Sequence, residues 1–453
     1  MHKPFFKPIT KAYPDIKLIE PVISGFVLFL VRLFARGYLY FFLGISKVEL
    51  RGNKNMYDTF LRALSGKSRN IVAFRHPYGG EPQLIAWFII HRLAKLARRD
   101  KVLFPIKPHV KFVYGYEVPR WGGFIARWIM PRLGAMPIHQ AKLDFVGLAR
   151  IHKALEDGPY PLAIAPEGQV SYNSELVQRL EQGVIRMGFQ TAVRLEKAGN
   201  SADMEILPVS VHFRYGSWAK FALKLLIRKI ERVTSTGNKV KGHESLSLYQ
   251  RLELARDRLV VLHEKQYTLT PKPDVSYNER IVSIMEAALA RAEEMLGIKR
   301  GEGSLIARAS RIRQICWDRI YLPGKDDLAH MSKVERALAD RRAGEAWYAG
   351  RHMELVDFVW YFRVPVPTEE TSFHVLVEYI QNLWDFANRT MGGAYATRLK
   401  IHPKTAVIYA GTPINLTEQL PAYHKNRKEA FESALKDLHD EFNRCIEAVR
   451  KEG

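Results

Sequence analysis

His76 and Glu81, separated by four residues in the run Asn70-Ile-Val-Ala-Phe-Arg-His-Pro-Tyr-Gly-Gly-Glu-Pro82, are the first residues in this chain whose types and spacing could do chemistry. A carboxylate folded back onto an imidazole fixes its tautomer and stabilises the imidazolium, so His76 could act as a general base with Glu81 orienting it. The elements that must position the pair are legible on either side. The apolar run 71–74 fits a buried strand, and Gly79-Gly80 forces a sharp turn. The segment 83–90 is apolar and helix-compatible, with Pro82 suited to the first turn of a helix. The pair therefore sits at a strand-to-helix turn. Taken alone, it reads first as an ordinary loop ion pair.

Three further blocks follow in order. One runs from Glu117 through Gly122 to Gly134-Ala-Met-Pro-Ile-His-Gln140. The next is Ala165-Pro-Glu-Gly-Gln-Val-Ser171, preceded by an apolar strand and followed by a helix. The last is Leu207-Pro-Val-Ser-Val211.

With these blocks in this order, residues 70–215 resemble the glycerolipid acyltransferase family of the lysophosphatidic acid acyltransferase (PlsC) type. That family carries a His-x4-Asp block, a glycine-containing block ending in arginine, a Pro-Glu-Gly-Thr block, and a strand bearing proline. The segment 407–416 is similar to its closing strand and Gly-x-Pro-Ile turn. The resemblance implies acyl transfer from an acyl-CoA or acyl carrier protein thioester to a lipid hydroxyl. The thioester is a co-substrate, and no cofactor or metal is expected. His76 would deprotonate the acceptor and Glu81 would orient His76. Backbone N–H groups of the Gly79-Gly80 turn would meet the oxyanion. Glu167 and Gly168 would floor the acceptor site.

Three departures from the family pattern, at four positions, matter. Glu81 stands where the family has aspartate, so its longer side chain requires the glycine turn to adjust. Gln140 stands in place of the arginine closing the second block, and Gln169-Val170 in place of the third block's Thr-Arg. Arginine is suited to bidentate phosphate contacts that glutamine and valine cannot make. The acceptor is therefore expected not to be ordinary lysophosphatidic acid, or its phosphate is held by other residues, for which Arg75 and Arg186 are the candidates. A catalytically silent lipid-binding or scaffolding relative is the alternative.

Composition narrows the remaining classes. The chain carries 69 Lys and Arg against 47 Asp and Glu, a net charge of +22, which attracts polyanions. An anionic membrane surface is the expected partner. Nucleic acid is not, because no zinc spacing, helix-turn-helix signature or RNA-binding motif is present. A phosphate-binding Gly-x4-Gly-Lys loop is also missing, so an ATP-driven reaction is not expected. Cys316 and Cys445 are far apart and imply no disulfide framework, which fits a reducing compartment.

The expected fold is α/β, a mixed sheet flanked by helices and interrupted by a large, mainly helical insertion. Residues 1–47 form an N-terminal membrane-interface segment without the pattern of a cleaved signal peptide. Its stretch 21–45 is strongly apolar, with Arg32 and Arg36 at helical spacing. A helix lying in the interface, with these arginines toward phosphates, avoids the penalty of burying them in a span. The localisation expected from this is the cytoplasmic face of a membrane, peripheral or monotopic. Residues 48–215 form the α/β domain, with strands at 71–74, 103–106, 110–113, 162–165 and 206–211 and helices near 82–97, 120–133, 144–156 and 178–197. Residues 216–400 form the helical insertion, with a capping box at Ser276 and Glu279. Within it, Lys220, Lys224 and Arg228 recur at four-residue spacing, fitting either a second membrane contact or a solvated helix. Residues 401–453 return with a strand at 405–409 and a charged helix at 425–450. The acceptor, the acyl chain length and the oligomeric state are left open.

Overall fold

The structure, a computed structural model, describes residues 8–139, 144–235, 245–270, 274–361, 364–393 and 401–452. Its contacts divide the chain into two units, one of residues 19–218 with 400–453 and the other of residues 1–18 with 219–399.

The first unit is built on an eight-stranded mixed sheet. In chain order its strands are β1 (Ile45–Arg51), β2 (Ser68–Phe74), β3 (Lys111–Gly115), β4 (Met136–Ile138), β5 (Leu162–Ile164), β6 (Asp203–Tyr215), β7 (Lys404–Ala410) and β8 (Ile414–Asn415). In space they run β1-β7-β6-β2-β5-β3-β4, with β8 also paired to β6. Strands β6, β2, β5, β3 and β4 are parallel, whereas β7 is antiparallel to β6 and parallel to β1. The run Ile71-Val72-Ala73-Phe74 is buried throughout, as a parallel strand covered on both faces requires. Helices Phe145–Asp157, Gly183–Lys197 and Arg427–Lys451 contribute Ile151, Ile185, Phe189, Leu438 and Phe442 to the core that includes Ile71 and Ile206. Because five strands are parallel, their C-terminal ends open at one edge of the sheet, where ligands bind in open α/β folds.

Two expected elements differ. Residues 103–106 form no strand, and Leu103 is exposed. Pro105 interrupts this short run and cannot donate to a ladder. The helix expected from 178 begins at Gly183. Ahead of it, the Glu181 N–H donates to the Pro166 carbonyl at 2.6 Å instead of to a helical carbonyl.

The expected segment 1–47 divides between the units. Tyr13–Pro14 pairs with Tyr321–Leu322, and the Ala12 N–H donates to Asp340 Oδ1 at 2.8 Å, both within the helical unit. The apolar helix Gly25–Phe41 belongs to the sheet unit and leaves Phe26, Phe29, Leu33, Phe34 and Phe41 exposed. Among the described residues, no helix is long and apolar enough to cross a membrane. The expectation for Arg36 is corrected, because its guanidinium donates to the carbonyls of Ile45 and Ser46 and lies over the Trp87 ring. β1 is an edge strand with carbonyls to satisfy, and Arg36 satisfies them in place of lipid phosphate.

The second unit is helical: Trp218–Thr234, Leu248–Gln266, Tyr277–Leu296, Leu305–Ile320, Lys333–Tyr361 and Phe373–Thr390. Ser276 and Glu279 form the expected reciprocal cap, and Gly297 ends that helix in a left-handed conformation. Inside the unit, Arg308 donates to both oxygens of the fully buried Glu293 at 2.9 Å.

Candidate active site

The C-terminal ends of β2 and β5 deliver the first and third sequence blocks to one place. β2 ends at Phe74, and Arg75 and His76 follow. β5 ends at Ile164, and Ala165, Pro166 and Glu167 follow. Gly79 then turns the chain at φ +101°, a conformation that glycine alone adopts readily, and Glu81 opens the helix Glu81–Trp87. Glu81 Oε2 lies 2.6 Å from His76 Nδ1 and accepts the Gly79 N–H at 2.8 Å. The carboxylate is fully buried, while the imidazole retains 17% of its side-chain exposure. With an ionised carboxylate on Nδ1, that nitrogen carries the hydrogen and Nε2 keeps its lone pair. The longer acid therefore reaches the histidine.

Arg75 sits beneath this pair with no exposed surface. Its guanidinium donates to Glu167 Oε1 through Nε at 3.2 Å and Nη2 at 2.9 Å. Nη1 donates to the Ser174 carbonyl, and Nη2 also faces the carbonyls of Asn173 and Leu176, each at 2.7 Å. The other Glu167 oxygen accepts the His76 N–H at 2.6 Å. The Ser171 N–H donates to the His76 carbonyl at 2.9 Å, and the Arg75 N–H to the carbonyl of Val209 on β6. The fourth block thus underlies the first. A buried ion pair of this kind positions its surroundings and is strongly destabilising when one partner is removed.

These contacts correct three expectations. Arg75 is not an open phosphate anchor, since its guanidinium is buried and already bound by a carboxylate and three carbonyls. Glu167 does not floor an acceptor site, since its carboxylate, 2% exposed, holds the histidine backbone and Arg75. The Gly79 N–H is not available to an oxyanion, because Glu81 accepts it.

Gly80 and Gly168 remain structural. A side chain at Gly80 would collide with Leu43, which packs on the turn, and Gly168 lies at φ +71° against Glu181. Gln140 lies outside the described residues. Arg186 is exposed with its guanidinium over the Phe431 ring, and among the described residues it shares no contact with His76, Glu81 or Glu167. Val170, which stands where the family has arginine, is the side chain nearest a Cβ built at Gly79.

Two features escape the sequence. Lys404, buried at the start of β7, places Nζ 3.1 Å from the centre of the Tyr78 ring and 4.4 Å from that of Phe213, fixing the loop that carries His76. Only the fold brings residues 78 and 404 together. A second histidine, His212, lies 2.8 Å through Nε2 from Ser210 Oγ. Both residues are buried, so this Ser–His pair presents no nucleophile to a substrate. Burial, and then the charges of Arg75, Arg214 and Arg450, push His212 down to about 3.

Among the described residues no group of three or more His, Cys, Asp or Glu is placed to hold a metal ion. Compared with known proteins, the chain matches no family model and no curated protein.

Proposed function

We propose that the protein moves a fatty acyl group from a thioester, carried by CoA or an acyl carrier protein, to the hydroxyl of a lipid acceptor at a membrane surface. The observation that carries this reading is the 2.6 Å contact between Glu81 Oε2 and His76 Nδ1 at the open end of the parallel strands. His76 Nε2 takes the proton of the acceptor hydroxyl as its oxygen attacks the thioester carbon. Collapse of the tetrahedral adduct breaks the carbon–sulfur bond, and the imidazolium returns its proton to the leaving thiolate. One ester and one free thiol result, and no acyl-enzyme is required. General-base assistance of this kind contributes about 10² to 10⁴ in rate.

The acceptor in this reading carries no phosphate that needs an arginine fork at the third block. Val170 approaches the Gly79 turn, and the neighbouring Arg75 is enclosed. Membrane attachment is supported by the exposed apolar side chains of Gly25–Phe41, since Leu43, just beyond that helix, packs directly on Gly80. The lipid-facing helix and the catalytic turn are thereby neighbours.

Purified protein incubated with acyl-CoA or acyl carrier protein thioesters and a panel of lyso-lipids tests the reading through thiol release. Acceptor-dependent release that His76→Ala abolishes supports it. A wild-type protein that binds the lipids without turnover, or activity unchanged in His76→Ala, replaces it with a silent lipid-binding relative. Strict dependence on an acceptor phosphate would overturn the specificity part alone.

A further inference from the structure

We infer that the helix Trp218–Thr234, which from residue 219 onward belongs to the helical unit, is an anionic-membrane contact in its own right, separate from the apolar helix beside the His76 turn. The helix is packed along one side by Ala219, Leu223, Leu226, Ile227 and Ile230, all buried. Its outward side has an order that follows from 100° per residue. Phe221, Leu225 and Trp218 form an exposed apolar row, 51%, 43% and 60% accessible respectively. Lys224 and Arg228 flank the row on one side and Lys229 on the other, and Arg232 falls within it; all four are exposed. Lys220 and Lys229 lie over the rings of Phe373 and Trp384, both at 5.9 Å. The only acid in the helix, Glu231, is buried and accepts from Arg251 at 2.7 Å.

An apolar row bordered by cations on both flanks matches a lipid surface. The rings enter the headgroup layer while ammonium and guanidinium groups reach phosphates on either side. Cations near an anionic leaflet each add to the attraction, and salt screens it. A stripe with no acid among its exposed residues suits a continuous sheet of negative charge. The inference does not rest on acyl transfer, and its test reads no activity.

Both native cysteines are buried, so Phe221→Cys in the full chain directs an environment-sensitive fluorophore to the stripe. Vesicles of phosphatidylcholine alone, or with about a third phosphatidylglycerol, supply the surface. A blue shift on the anionic vesicles only, reversed by high salt, is expected. The pair Lys224→Glu and Arg228→Glu should weaken partitioning about tenfold or more. The same reversal at exposed Lys299 and Arg341 should change it far less. A label that stays in water while the protein sediments with anionic vesicles overturns the inference. So does an equal loss from the control pair. A shift produced by a soluble acidic protein but not by vesicles would assign the stripe to a protein partner. A shift that rises with protein concentration alone would assign it to a second copy, and either result replaces the lipid surface.

Discussion

Glu81 Oε2 stands 2.6 Å from His76 Nδ1 and, through the same oxygen, accepts the Gly79 N–H. One atom thus sets both the imidazole tautomer and the shape of the turn that brings the acid within reach. Under the proposed reaction, Glu81→Gln should lower kcat by about 10²-fold or more while leaving the protein folded, and the double variant with His76→Ala should fall little further. Glu81→Asp retracts the carboxylate from a turn already set for the longer chain and should fall between wild type and Gln. Steady-state thiol release with circular dichroism as a folding control checks all three. Additive losses would mean that the two residues do not act as a unit.

Arg75 and Glu167 form a buried pair whose partners are mostly backbone. Arg75→Ala should destabilise the sheet unit by about 3–5 kcal/mol, since it leaves the Glu167 carboxylate buried without its cation. Arg75→Lys should recover little, because one ammonium cannot meet a carboxylate and three carbonyls. Denaturant melts of these variants and of Arg75→Ala with Glu167→Gln should show strong non-additivity.

The buried histidines of the sheet unit make it acid-sensitive. His212 is held down to about 3, and burial pushes His109 to about 4 despite its bond to the Leu133 carbonyl. Their unfolded values lie near 6.5, so between about pH 6.5 and 4 the unfolded chain binds protons that the fold refuses. Stability therefore falls as pH drops through that window, by about 1.4 kcal/mol per pH unit for each group. His212→Gln should flatten the slope even where it lowers the baseline. Melts at several pH values read the slope directly, and an unchanged slope would contradict the assignment.

Burial raises both thiols, Cys316 and Cys445, to about 12. Neither should react with a disulfide reagent in the folded protein at neutral pH, and both should react once denaturant opens their units. A fast-reacting thiol in native buffer would place one of them at the surface.

Replacing Leu33 or Phe29 with glutamate tests the proposed membrane contact of the apolar helix near the His76 turn. Either change should reduce sedimentation with vesicles without moving the thermal midpoint, because both side chains already face outward. A large loss of stability would show that the face is covered by protein.

Much of the frame is legible in residue order. The apolar run at 71–74, the strand before Glu167, the helices at 145–157 and 277–296, and the returning strand near 405 all stand in the structure. The His76–Glu81 pairing follows from spacing and two glycines. The roles of Arg75 and Glu167 do not, because a residue type carries no signal for whether its charge faces a ligand or the backbone of a distant loop. β1 is hidden within the mixed pattern Ile-Ser-Lys-Val-Glu-Leu-Arg, which half-burial at an edge produces. Lys404 is the extreme case, since its partner Tyr78 is more than three hundred residues away in sequence.

The placing of β7 between β1 and β6 governs how the protein can be made. The chain leaves the sheet unit after residue 218 and re-enters it at 400. During synthesis, β1 therefore waits for its neighbour β7 until the whole of residues 219–399 has left the ribosome. Synthesis of residues 219–399 alone lasts roughly 10–40 s at the usual ~5–20 residues per second. Through it, the β6 edge that will receive β7 stays open, and the His76 loop lacks the Lys404 cation that steadies Tyr78. Nascent chains stalled just before residue 404 should accordingly depend on chaperones, whereas full-length chains, with the helix Arg427–Lys451 in place on the core, should not.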